Sequence, residues 1–297
     1  MIRPTWEELP SDVADAVQAQ CGPVLKADSA TAGIMPGVAA RLDLEDGGTV
    51  FVKAITDGHE AAALHLRERW AGWNLPSEAP APRMLWADTV AGWHVMVWQH
   101  VDGARHADLS PGSLDLPAVL DAMVLLEAVL TPCPSGATPV GSNVASLLVK
   151  ARRLLGGPVG DLPDRGLYEV AIERLDLSDL RGDTLLHYDL SAGNLLVTDQ
   201  QVSVVDWSFA ARGARWLEAA LFAPRLVEAG HRPGDVDELL STLPAWRSAP
   251  RDAVTGMAAA WTLFRRYKAR YGPQEVRRAR ARAAQAGRAW LTYQQTN

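Results

Sequence analysis

Alternating and unbroken apolar runs fill the first third of the chain, and helical spacings fill most of the rest. Thr49–Ile55 alternates and is rich in β-branched residues, which reads as a strand. Trp93–Gln99 reads as another strand, running into the turn signal Asp102-Gly103. Strand-like runs also flank the glycines of Ala30–Leu42. Two helices interrupt this β-rich part. Ser11–Val17 looks like a short capped helix, and His59–Trp70 is rich in strong helix formers after Asp57-Gly58. Beyond about residue 101 the period changes. Leu116–Leu130 has core-helix spacing and is ended by Pro132, Pro134 and Gly136. Ser142–Leu155 and Leu167–Leu175 read as further helices, and Arg215–Phe222 begins another.

One stretch breaks the helical pattern. Leu195–Thr198 and Val202–Val205 are short apolar or alternating runs around the polar turn Asp199-Gln200-Gln201, which predicts a β-hairpin. Just before it stand His187, Asp189 and Asn194 in the spacing H-x-D-x-x-x-x-N, and just after it stands Asp206. Hairpin pairing is expected to bring Asn194 and Asp206 together. Two oxygen ligands at one hairpin end suit Mg2+, which takes few protein ligands and completes its octahedron with water and phosphate oxygens. Asp189, in the loop above, is placed to accept a proton from an incoming hydroxyl or to orient it. His187 is expected to brace the loop. A base and two metal ligands are the parts that phosphoryl transfer from a nucleotide needs, since its protein chemistry is mainly positioning and charge neutralisation.

Composition agrees with a globular chain: 297 residues, 48% hydrophobic and 22% charged. No apolar run approaches the ~18–20 residues of a membrane span, and the N-terminus has no signal-peptide core. Cys21 and Cys133 give neither a disulfide framework nor a metal spacing, which fits passive thiols and a cytoplasmic protein. Charge is uneven: residues 1–150 carry a net −9, residues 151–250 a net −5, and residues 251–297 a net +8. The basic end includes Arg265–Arg270 and Arg277–Arg282. These runs read as solvated helix faces packing on an acidic body, with nucleic-acid contact the lesser alternative.

HYDLSAGNLLV at 187–197 with VVDWSFA at 204–210 resembles the aminoglycoside phosphotransferase and choline kinase-like family, a branch of the protein-kinase-like fold. The family usually has HGDL or HNDL, so Tyr188 stands where a small residue is common. The resemblance implies an α+β fold of two lobes: a small β-rich N-lobe over 1–101 and a larger helical C-lobe over 102–297. It implies ATP or GTP as donor and Mg2+ as cofactor. Lys53, inside an apolar strand where an unpaired ammonium is costly, resembles the lysine that meets the α/β-phosphates. Its partner is Glu60 or Glu68, and the family's spacing favours Glu68. Gly33 and Gly37 resemble a loose nucleotide loop, although G-x-G-x-x-G and G-x-x-x-x-G-K-[ST] are both missing. Gln99 and Val101 fall at the hinge that would read the adenine edge, with Met96 behind it. Glu218 takes the place of an Asp that braces the catalytic loop, one methylene longer.

The resulting expectation is a small-molecule kinase acting on a hydroxyl of an antibiotic or related natural product, with no membrane partner. The alternatives are a metabolic kinase of choline, a sugar or an amino alcohol, and a non-catalytic nucleotide-binding regulator. Carboxylates for a polycationic acceptor are few: Glu228, Asp235, Asp237 and Glu238 cluster near an expected loop at Gly230–Gly234. Trp207, Trp216, Trp261 and Tyr188 are either flat walls for a ring-bearing acceptor or core. These residues favour a neutral or weakly charged hydroxylated acceptor over an aminoglycoside.

Overall fold

Val50, Val52 and Ala54 on one side of a strand, with Phe51 and Lys53 on the other, are the alternation around which the N-terminal sheet is built. The computed structural model describes residues 3–30, 36–158 and 162–296. The chain divides by its internal contacts into two units, Met1–Arg105 with Leu196–Phe209, and His106–Leu195 with Ala210–Asn297.

The first unit holds five antiparallel strands: β1 (Val24–Ser29), β2 (Val38–Leu44), β3 (Thr49–Thr56), β4 (Met84–Val90) and β5 (Trp93–Gln99), in the order β1-β2-β3-β5-β4. Helix α1 (Ser11–Cys21) covers one face. Its Val13 and Val17 are fully buried with Trp6 and Leu9 against Ala40, Leu42, Val50, Val52, Val95 and Val97. The opposite face carries Phe51, Met84, Met96 and Trp98. Helix α2 (Ala62–Asn74) lies on this second face, and Gly72 lets it do so, since a Cβ there would come within 2.5 Å of the Trp98 ring. Lys53 sits on the same face, opposite Ala39 and Met96 in the ladder. Helix α2 begins three residues later than expected, because His59 and Glu60 form a turn in which His59 Nδ1 accepts the Ala61 N–H.

A two-residue strand, β6 (Arg105–His106), follows. The second unit contains α3 (Asp115–Val129), α4 (Gly141–Leu155), α5 (Arg165–Glu173) and β7 (Thr184–Leu186). The expected hairpin is present as β8 (Leu195–Val197) and β9 (Val202–Val204), closed by the Thr198 N–H on the Gln201 carbonyl at 3.0 Å. Most of it belongs to the first unit, where the Val204 N–H donates to the Pro80 carbonyl at 2.7 Å. The division therefore differs from a single cut at 101/102, because Leu196–Phe209 returns to the sheet-bearing unit.

The chain continues as β10 (Ala211–Gly213), α6 (Leu217–Glu228), α7 (Pro233–Ser241), α8 (Arg251–Tyr271) and α9 (Gln274–Thr296). Strand β10 pairs antiparallel with β7, aligning Ala211 with Leu186. Helices α8 and α9 pack closely, with Gly287 of α9 against the Trp261 ring and Thr262 hydroxyl of α8, all three buried. The loop expected around Gly230–Gly234 is shorter than predicted: α7 starts at Pro233, which suits the first helical position.

Candidate active site

The first cluster lies wholly in the sheet-bearing unit. Strand β3 presents Lys53 toward α2, and Glu68 comes up from that helix fifteen residues later. The Lys53 Nζ to Glu68 Oε1 distance is 2.6 Å, while Glu60 is exposed in the turn before the helix. Asp206 Oδ1 is 3.5 Å from the same ammonium. Ser208 ties the carboxylates together: its hydroxyl donates to Asp206 Oδ1 and lies 3.3 Å from Glu68 Oε2. The Glu68 side chain is 3% exposed, so the pair is desolvated on its glutamate side. Burial pulls the Lys53 pKa down, but Glu68 and Asp206 outweigh it and leave it above its ordinary value. Lys53 is therefore a fixed cation. His65, one turn before Glu68, is also buried. Burial and the Lys53 charge push its pKa down to about 4, so it stays neutral beside the lysine.

Gly37 shows why a glycine is needed where β2 begins. Its φ is +97°, and a Cβ would collide with the Ala54 carbonyl oxygen. Gly33 lies outside the described residues. Gln99 and Val101 line a cavity of about 500 Å³ with Pro82, His100, Asp102 and the hairpin turn at Thr198–Gln201. The Gln99 N–H is already used, donating to the Arg83 carbonyl at 2.8 Å.

The second cluster lies wholly in the helical unit. Strand β7 delivers the chain to His187, Tyr188 and Asp189. Glu218, in the first turn of α6, accepts the His187 N–H at 2.6 Å and the Tyr188 N–H at 3.0 Å. The extra methylene relative to Asp does not prevent that contact. Burial, opposed by these two donors, pushes the Glu218 pKa up to about 7. His187 Nδ1 faces the Asp189 N–H at 3.3 Å, and Asn194 Nδ2 donates to the Asp189 carbonyl at 2.9 Å. The loop backbone is thus held at both ends by side chains. Tyr188 takes φ +72°, a conformation that glycine and asparagine adopt at least cost. Its ring is buried and its hydroxyl has no hydrogen-bond partner, so it packs inside the unit rather than forming a wall. Trp207, Trp216 and Trp261 are buried too, which removes the flat-wall reading.

The Asp189 carboxylate has partners that the sequence reading missed. Arg225 Nη2 lies 2.7 Å from its Oδ1, and Arg265 Nη2 lies 3.7 Å from it. Both guanidiniums lie over the Trp261 ring, their Cζ atoms 5.3 and 4.7 Å from its centroid. Arg265 comes from the basic run assigned to solvated helix faces, yet only 7% of its side chain is exposed. The signal was available: Val254, Ala258, Trp261 and Arg265 follow one another at helical spacing on the buried face of α8. Of the four acids weighed for a cationic acceptor, Glu228 lies 3.8 Å from Arg225, and Asp237 accepts from Trp246 Nε1.

A five-stranded antiparallel sheet with its lysine–glutamate pair, followed by a helical unit with a braced H-x-D loop, defines a protein-kinase-like phosphotransferase. Within that class the chain belongs to the phosphotransferase enzyme family, whose model matches residues 39–250. Among solved structures, the choline kinase LicA from Streptococcus pneumoniae superposes with a TM-score of 0.65 at 15% identity, covering 95% of this chain and 98% of its own. A thermostable mutant of the aminoglycoside phosphotransferase APH(4)-Ia, in complex with AMP-PNP and hygromycin B, gives 0.62 at 17%, covering 94% and 99%. The macrolide 2'-phosphotransferase MphH from Brachybacterium faecium gives 0.58 at 18%, covering 93% and 98%. At such identities the likeness concerns the fold. No curated protein matches the chain by sequence.

Proposed function

We propose that the protein transfers the γ-phosphoryl group of ATP or GTP to a hydroxyl of a small natural product, in a resistance or self-protection role. The observation that carries this reading is the Lys53–Glu68–Asp206 cluster, a cation held by a buried and a partly exposed carboxylate on the sheet face. Lys53 would meet the donor's phosphates, with Glu68 holding its ammonium in place. In the helical unit, Asp189 is the group for the acceptor hydroxyl. Its hydrogen bond from Arg225 goes to Oδ1, which leaves Oδ2 to orient the hydroxyl and take its proton. Glu218, His187 and Asn194 fix the backbone on which that carboxylate stands.

Asn194 in the helical unit and Asp206 in the sheet-bearing unit are each chemically suited to Mg2+. Asn194 uses its amide nitrogen on the Asp189 carbonyl, which turns its side-chain oxygen to other use, and Asp206 is one-third exposed at its carboxylate. An amide oxygen and a carboxylate oxygen are each the hard donors this ion takes when phosphates supply much of its shell. When bound, it would neutralise charge on the transferring phosphate. No described helix is long and apolar enough to cross a membrane.

The test is release of ADP or GDP, with the phosphorylated product identified by mass spectrometry, across a panel of hydroxylated antibiotics and metabolites. Turnover of at least one compound that is lost in Asp189→Asn supports the reading. Nucleotide binding without turnover of any compound would favour a regulator instead.

A further inference from the structure

Around Asp189 the balance of charge is positive. Arg225, Arg265 and Arg280 are cations from α6, α8 and α9; Arg280 is near enough to interact with Arg225, Asp189 and Glu228. The facing anions are Asp189 and Glu228, with Glu218 behind the loop committed to two backbone N–H groups. Arg225 is satisfied by its 2.7 Å bond to Asp189. Arg265 is not. Its one carboxylate neighbour is 3.7 Å away, beyond hydrogen-bond reach, and its Nε has no partner although the residue is 6% exposed. A buried guanidinium nitrogen left in that state is costly. Both guanidiniums lie over the Trp261 ring, which restricts them, and a guanidinium is the planar fork that matches carboxylate or phosphate.

We propose that Arg265 and Arg225, flanked by Arg280, form an anion-recognition site beside Asp189, and that the acceptor is a hydroxy compound carrying a carboxylate or phosphate a few bonds from the hydroxyl it presents to Asp189. This rests on the phosphotransferase reading and narrows it: the acceptor is anionic rather than neutral, and a quaternary amine or a polyamine meets like charge.

Two measurements on the full chain test this. The first is calorimetric titration without nucleotide, using glycerate and glycerol 3-phosphate against glycerol, on wild type and Arg265→Gln. The charged compounds should bind about tenfold or more tightly than glycerol, the scale of one charged hydrogen bond. Arg265→Gln should erase that preference, and Arg265→Lys should restore part of it. Equal affinity for glycerol and the two anions, or an undiminished preference in Arg265→Gln, overturns the proposal. Which anion binds better distinguishes carboxylate from phosphate.

The second is nucleoside-diphosphate release with glycerate, gluconate, glycerol 3-phosphate and fructose 6-phosphate, against glycerol, glucitol, fructose, choline and kanamycin. Charged acceptors should turn over with a KM that rises about tenfold in Arg265→Gln while kcat changes little. Efficient turnover of choline, kanamycin or the neutral compounds, unaffected by Arg265→Gln, would leave the phosphotransferase reading standing and remove the anion site. An anion preference in the titration, with no nucleotide bound or turned over, would do the reverse.

Discussion

Neutralising Glu68 is the sharpest perturbation of the nucleotide-side cluster. Its carboxylate sits 2.6 Å from Lys53 Nζ and 3.3 Å from Ser208 Oγ, with 3% of the side chain exposed. Breaking a buried ion pair from one side costs about 3–5 kcal/mol, because the remaining charge stays buried. Lys53 keeps Asp206 at 3.5 Å and is itself 17% exposed, so Glu68→Gln belongs at the lower end, about 3 kcal/mol. Lys53→Met should cost a similar amount near pH 8 and less in acid, where the stranded glutamate can take up a proton. The double substitution leaves neither charge behind. It should cost less than the sum, with a coupling of about 2 kcal/mol. Urea unfolding gives the three free energies, and hydrogen exchange in β3 and α2 shows whether the loss falls in the sheet-bearing unit. A coupling under about 0.5 kcal/mol is what an exposed pair gives, and it would refute the claim that Glu68 fixes Lys53.

Three other outcomes are expected. Mg2+ with ATP or GTP should raise Tm, since a ligand bound only to the native state stabilises it, and Asp206→Ala should remove the Mg2+-dependent part of the shift; a full shift in the variant would sink the metal assignment. Asp189→Asn should keep the fold and nucleotide binding but lose about 10²–10⁴-fold in turnover, and near-normal turnover would show that another group handles the hydroxyl. Glu218 has a folded-state pKa of about 7 against an ordinary 4.5, so the native state holds a proton that the unfolded chain has released between those values. Its contribution to stability is present below pH 4.5 and is lost as pH rises through 7. Glu218→Gln should flatten that part of the Tm–pH curve, and an unchanged curve would show that the carboxylate is ionised throughout.

The parts of the site that were legible in the sequence are those fixed by local pattern. Lys53 stood out because a lysine breaks an otherwise apolar alternation, and the hairpin stood out because two apolar runs flank Asp199-Gln200-Gln201. Glu68 over Glu60 was a choice of spacing, and α2 settles it by beginning at Ala62 and leaving Glu60 in a turn. The arginines around Asp189 were not legible in the same way. Arg225 and Arg265 lie 36 and 76 residues from Asp189 and reach it from separate helices, so no window of sequence contains the contact. Net charge misled as well: the +8 tail suggested solvated faces, whereas burial depends on which side of α8 a residue occupies. Ser208 was missed because a small hydroxyl beside Asp206 carries no pattern at all. The aromatic residues were ambiguous for a related reason, since a tryptophan lining a cleft and one filling a core read alike.

Backbone conformation adds a physical argument that neither charge nor spacing supplies. Tyr188 and Asp206 have φ of 72° and 65°, in a region that side-chain-bearing residues avoid. Such residues cost on the order of 1–3 kcal/mol each and persist only where their surroundings determine them. Each is held within its own unit. Glu218 takes the N–H groups of His187 and Tyr188 while the Tyr188 ring is buried. Asp206 is gripped through its carboxylate by Lys53 and Ser208. Ala91 and Asp164 also have positive φ, in turns away from these clusters, whereas Tyr188 is the residue before the candidate base and Asp206 is the candidate metal ligand itself. A relaxed loop would let those carboxylates sample many directions. Strain balanced by side-chain bonds restricts them, and a reaction catalysed by positioning depends on that restriction.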